Sequence, residues 1–174
     1  MFRHQLCLAS LIAFATGSIT VTHISARESQ PASSSIQQEV RSYLRNLGIS
    51  TDRANALPIY CTAKHCTTTG NGIWINERQL ATHPPCLRSF YLAHEAAHYA
   101  LGHYRSITTI GQEQEADIAA ARMFCRYGQR AVVEEYANYL QYTVIPQEGS
   151  KGRVDKMHPT FSDELRYLQR ILAE

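Results

Sequence analysis

Three residues in the stretch Tyr91–His103 have the types and the spacing for metal chemistry: His94, Glu95 and His98 stand as H-E-x-x-H. Four residues advance an α-helix by about one turn, so the two imidazoles project from one face and can converge on a single ion. Glu95 is rotated by about 100° from His94, which sets its carboxylate beside the ion without making it a ligand. In that place a carboxylate can act as general base toward a water held by zinc. Paired histidines one turn apart also occur in helices without a metal, and a pattern with two open positions arises by accident. A third ligand is what separates the two readings.

A catalytic zinc takes three protein ligands and keeps a fourth position open. After Gly102 and a polar turn, residues Gly111 to Gly128 (GQEQEADIAAARMFCRYG) form a second helix pattern. Glu113, Ala116, Asp117, Ala120 and Phe124 lie along one stripe at helical spacing. Bringing Glu113 to the histidine pair completes a His, His, Glu set. Asp117, one turn on, is placed to accept a hydrogen bond from a ligand imidazole. Ala116, Ala119, Ala120 and Ala121 allow the two helices to approach closely. The helix dipole favours acids near an N-terminus, which accounts for Glu113 and Glu115 but poorly for Asp117.

HEAAH followed by EQEAD resembles the M48-type gluzincin metallopeptidases, whose pattern is HExxH and then, on a following helix, ExxAD. The resemblance implies zinc ligands at His94, His98 and Glu113, one Zn2+ per chain, a general base at Glu95 and a supporting role for Asp117. The fold expected is α+β and zincin-like: an active-site helix pair beside a small antiparallel sheet, with flanking helices. A weaker similarity lies in the family's His-Pro pair and later arginine, matched here by His158, Pro159 and Arg166 at a longer spacing. It implies substrate or transition-state contacts at His158 and Arg166. The resemblance spans roughly Gly72 to Leu168. The chain is not similar to metzincins, whose third histidine would fall at Tyr104. His103 lies about 140° round the helix from His98 and is expected as a surface or supporting histidine, not a ligand.

The remaining sequence is read around that centre. A length of 174 residues with 44% apolar residues fits one domain with a real core. A net charge of +2, dispersed without basic runs, argues against a nucleic acid or an anionic membrane as partner. Residues 1–26 carry Arg3 and His4 ahead of an apolar run broken by Ser10, Gly17 and Ser18, a secretory signal pattern with an uncleaved anchor as the alternative. Membrane contact is expected only in the anchored case. Residues 27–35 read as a flexible tail and 36–174 as the zinc metallopeptidase domain. Outside the signal stand Cys61, Cys66, Cys86 and Cys125, an even number that in an exported chain suggests two disulfides. Of three connectivities, Cys61–Cys66 and Cys86–Cys125 are favoured. A structural zinc site lacks the close C-x-x-C pairs it would need.

Ile36, Val40, Tyr43, Leu44 and Leu47 form a helical stripe ended by Gly48. Leu57 to Asn76 alternates as two or three antiparallel strands, with Ile73 and Ile75 inward and Trp74 on the other face. The resemblance implies that the strand before the metal helix lies beside the cleft, where an exposed edge could pair with an extended substrate. A helix over Ala131–Gln141 carries Tyr136 and Tyr139, which with Tyr142 offer hydroxyls near a site. A mobile-looking loop over 146–156 leads to His158 and a final helix. The expected function is a zinc endopeptidase acting on unfolded or extended protein outside the cytoplasm, periplasmic or secreted. Two other classes are a non-catalytic zinc-stabilised binding or assembly module, chaperone-like, and a cytoplasmic zinc regulator of DNA-binding partners. The signal and the paired cysteines oppose the last.

Overall fold

The computed structural model describes residues 30–152 and 157–174, so the expected signal lies outside the described residues. The chain is α+β. In order come β1 (Gln30–Pro31), α1 (Ser34–Asn46), α2 (Thr51–Ala56), β2 (Ile59–Cys61), β3 (Thr67–Thr69), β4 (Gly72–Ile75) and α3 (Glu77–Leu80). There follow α4 (Pro85–Leu101), a 3-10 turn (His103–Arg105), α5 (Ile110–Arg126), α6 (Arg130–Tyr139), a π segment (Leu140–Val144), α7 (Ile145–Glu148) and α8 (Phe161–Ala173). Among the described residues no helix is long and apolar enough to cross a membrane.

Local chemistry sets the two central helices. α4 begins with proline in its first turn, where a missing N–H is harmless, and ends where Gly102 takes φ 76°, a left-handed cap that glycine adopts without a Cβ penalty. α5 starts with a capping box: the Thr109 side chain accepts from the Gln112 N–H, and the Gln112 side chain accepts from the Thr109 N–H. These caps fix where each helix starts or stops, and therefore which residues face the other helix.

The sheet has the order β1-β2-β4-β3. It is mixed rather than antiparallel as expected: β2 pairs parallel with β4, Tyr60 opposite Trp74, while β1/β2 and β3/β4 are antiparallel. The chain leaves β2, forms β3 at the edge, and returns through a hairpin as β4 between them. Gly72 makes this possible, since a Cβ there would come within 2.7 Å of the Pro58 carbonyl oxygen. Trp74, expected on an open face, is buried and packs on the Tyr60 ring at 5.2 Å. Both faces of β4 are covered, so alternation does not sort its residues. The expected tail is also corrected where it is described. Gln30 and Pro31 pair with Cys61 and Tyr60, and the Ala32 N–H donates to the Ile59 oxygen at 3.0 Å.

Neither expected disulfide forms: Cys61, Cys66, Cys86 and Cys125 are all free thiols. The Cys66 sulfur instead accepts the Asn76 N–H at 3.3 Å. Burial, with Glu95 adding to it, pushes that thiol up to about 12. Cys86 and Cys125 meet different parts of the neighbouring helices. The Cys86 thiol lies near Glu135 and Tyr139, whereas that of Cys125 lies near Arg130 and Glu134.

α4 is the structural centre, packed against α1, α5, α6, β3 and β4. Its Phe90 meets Phe124 of α5 at 6.3 Å between ring centroids and Tyr136 of α6 at 4.4 Å, and Phe124 also meets Tyr43 of α1 edge-on at 5.3 Å. This aromatic knot lies beneath the polar cluster and holds α4 and α5 in register. Phe124→Ala is expected to lower stability by about 3–5 kcal/mol, because a fully buried ring leaves a cavity that its neighbours cannot close. Urea unfolding of the two proteins measures the difference.

Candidate metal centre

The helix pair brings the three predicted ligands together. His94 and His98 on α4 and Glu113 on α5 are all buried, and one ligand atom from each lies within 4.8 Å of the others. His94 Nε2 and His98 Nε2 are 2.9 Å apart, and Glu113 Oε2 lies 3.2 Å from the first and 3.4 Å from the second. Ligands about 2.0–2.1 Å from a tetrahedral ion stand about 3.3 Å from one another, so these separations are close to the edges of one coordination sphere. Fully buried Ala93, Ala96, Ala97, Ala116 and Ala120 keep the facing surfaces of the helices thin around this point.

The hydrogen bonds around the set determine where the ring protons sit. His94 Nδ1 is 2.7 Å from Asp117 Oδ1, so it donates its proton and leaves Nε2 bare. His103 Nε2 donates to Glu115 Oε2 at 3.2 Å, which leaves His103 Nδ1 as an acceptor for His98 Nδ1 at 3.0 Å. Burial, joined by the neighbouring His98, lowers the His103 pKa and so favours this neutral form. His98 Nε2 is thereby bare as well. At 2.9 Å the two Nε2 atoms share one further ring proton, and a bound cation would take that proton's place.

Glu113 makes the same point from the other helix. Its Oε2 is buried and receives no hydrogen bond, although three imidazole nitrogens lie within 3.2 to 3.4 Å of it. A buried carboxylate oxygen with no donor is costly, and a metal ion removes that cost. Burial works against its ionisation, yet His158, His94 and His98 hold its carboxyl well below the usual range. For His94, burial disfavours the charged ring, but Asp117 and Glu113 outweigh it and raise the pKa well above the usual value. The buried group could bind a metal, and its residue types and spacing fit one.

The other predicted residues divide. Glu95 is buried beside the ligands, and Thr68 Oγ1 of β3 lies 2.8 Å from its Oε2 and 2.9 Å from its backbone oxygen. Asp117 is held from two sides, by His94 and by the Tyr167 hydroxyl of α8. His158 Nε2 reaches within 3.2 Å of Glu113 Oε2. Arg166 does not join the site. Its side chain is 64% exposed and pairs with Asp163 at 2.7 Å. α8 turns Glu164, Tyr167, Leu168 and Ile171 inward, and Arg166 falls on the opposite face. Tyr142 is exposed, while Tyr136 is buried and donates to Glu164. The strand before α4, expected along the cleft, is inside the sheet with both neighbours paired; the end strand near Glu95 is β3.

Thr68, Glu164 and Tyr167 are the site residues that sequence reasoning missed. Glu164 carried a usable signal, since it is an acid on the apolar stripe of α8 just as Asp117 is on α5.

Asp117→Asn keeps the shape but weakens the grip on His94, so zinc affinity is expected to fall by about 10- to 100-fold. His98→Ala should abolish stoichiometric binding; competition with a chromophoric chelator measures both. Glu164 generates a pH prediction. Burial, with Asp117 facing it from α5, raises its carboxyl to about 8; Tyr136, His94 and His158 act the other way. The folded value exceeds an unfolded value of about 4.3, so the neutral acid's contribution is complete at low pH and is lost as pH rises through about 8. Unfolding free energy, followed by urea titration of the metal-free protein from pH 6 to 8.5, should fall more steeply in the native chain than in Glu164→Gln. Comparison with known protein families, characterised proteins and solved structures finds no match to this chain.

Proposed function

We propose that this chain is a zinc-dependent endopeptidase of the gluzincin kind, hydrolysing peptide bonds in unfolded or extended protein. The observation that carries the reading is the convergence of His94 Nε2, His98 Nε2 and the donor-less Glu113 Oε2, with the carboxylate of Glu95 buried beside them. Two imidazoles and a carboxylate suit zinc, and three protein ligands leave a position for chemistry. A helix pair carrying HExxH and ExxAD beside a small sheet supports a zincin-like arrangement.

Bound zinc supplies Lewis acidity to the scissile carbonyl and to the attacking water. The chain's own residues supply the rest. Glu95 takes the proton from that water and delivers it to the departing amine, and the Thr68 hydroxyl holds the Glu95 carboxylate in place. His158, set beside Glu113, donates a hydrogen bond to the oxygen on which charge develops. Asp117 and the pair His103–Glu115 hold the two ligand rings and their tautomers. An extended substrate lies along the free edge of β3, where backbone groups pair with little demand on side-chain identity. We assign the enzyme outside the cytoplasm on residues 1–26 alone, since the cysteines give this no support.

Glu95→Gln is expected to keep one zinc per chain and to lose about 10²- to 10⁴-fold in hydrolysis of an unfolded casein-type substrate. Zinc content by mass spectrometry and a cleavage assay test this together. Zinc in both proteins with cleavage by neither would favour a binding module. His158→Ala is expected to lower kcat/KM by about 10²- to 10³-fold. A rise in activity would show instead that His158 takes the ion's open position and keeps the enzyme latent.

A further inference from the structure

A cavity opens from the metal centre and extends past the residues used in the chemistry above. Its volume is about 300 Å³, with His94 and Glu95 on one side and Glu164 on another. Much of its remaining wall is apolar, from Leu80, Tyr91, Pro159 and Phe161. Whatever side chain enters it lies next to the reacting centre.

The polar end is unusual for such a pocket. One oxygen of the Glu164 carboxyl accepts from the Tyr136 hydroxyl, and the charges of His94 and His158 also act on the carboxyl. Asp117 is also on the wall, and among the described lining residues there is no lysine or arginine. His65, His83, His94 and His158 also line the cavity; the His83 ring lies tilted 5.8 Å from that of Tyr91, and burial lowers its pKa toward the neutral form. The cavity therefore combines apolar walls with carboxyl groups, and no lysine or arginine stands among its described lining residues. A long aliphatic stem with a cationic tip satisfies both parts: methylenes against the walls, and a charge-assisted hydrogen bond to the carboxyl. A purely apolar side chain would fill the walls but leave the acid unanswered.

We propose that this cavity is a recognition pocket for a lysine or arginine side chain, and that Glu164 determines the specificity. As a statement about substrates this rests on the peptidase reading; as a statement about a cation-accepting pocket it does not. The test has two arms. In the first, binding of n-butylammonium and of n-butanol to the zinc-loaded chain at pH 7 is measured by ligand-observed NMR, with Glu164→Gln and Glu164→Asp alongside. The ammonium is expected to bind at least tenfold more tightly than the alcohol, the advantage falling below threefold in Glu164→Gln and surviving in part in Glu164→Asp. Equal binding of the two probes by the native chain overturns the proposal whether or not the variants fold. In the second arm, kcat/KM is compared for peptides carrying lysine or norleucine at each position flanking the scissile bond. At one position lysine should win by at least tenfold, and the ratio should collapse in Glu164→Gln. Cleavage with no basic preference anywhere overturns the specificity claim and leaves the peptidase standing. Selective ammonium binding with no cleavage of any peptide overturns the peptidase and leaves the pocket standing.

Discussion

The architecture depends on keeping two imidazoles and several carboxylates out of water at the contact of α4 and α5. His94, Glu95, His98, Glu113 and Asp117 are all buried there, and isolated charges or unpaired polar atoms at such depth cost several kcal/mol each. The arrangement is tolerable because each group answers another. The carboxylate of Asp117 takes the His94 proton, His103 takes the proton of His98, and the remaining lone pairs point to one spot. A divalent cation at that spot converts a set of repulsions into bonds. Without one the same geometry has to borrow protons, which is why Asp117 and Glu113 hold His94 so far above its usual pKa.

The rest of the fold can be read as support for that contact. The alanines bring the helices together, and the aromatic knot of Tyr43, Phe90, Phe124 and Tyr136 fixes their relative rotation from below. α8 comes last in the chain yet contributes at the centre, through the Tyr167 hydroxyl on Asp117 and through Glu164. β3 covers the other side with Thr68 on Glu95. Glu95 and the acid that orients His94 are therefore steadied by different elements, a strand and a helix remote from each other in sequence.

What could be read from the sequence follows how local the determining interaction is. The helices α1, α4, α5, α6 and α8 were legible because 3.6-residue periodicity and terminating glycines such as Gly48 and Gly102 act within one element. The ligand set was legible because its spacing is helical on α4 and its third member lies on a stripe with Asp117. The mixed pairing of β2 with β4 was not, since parallel and antiparallel strands share the same short alternation and only the close approach at Gly72 decides between them. Trp74 and the tail residues Gln30 and Pro31 were misplaced because their burial comes from pairing and packing with distant segments. Cysteine parity suggested bridges, and all four thiols are free. Arg166 shows the limit of a motif: spacing to a His-Pro pair is one-dimensional, whereas the face of α8 on which a residue falls is decided by Tyr167, Leu168 and Ile171 packing inward.

That last point also bears on how the site and its neighbouring cavity are linked. Glu164 and Tyr167 are three apart on α8, so both face α5 and α6, one reaching Tyr136 and the cavity, the other Asp117 beside the metal-binding cluster. Asp117 feels both, because its charge adds to the burial that keeps Glu164 protonated. The acid that lines the cavity and the hydroxyl that steadies Asp117 are thus set by one helical turn of α8.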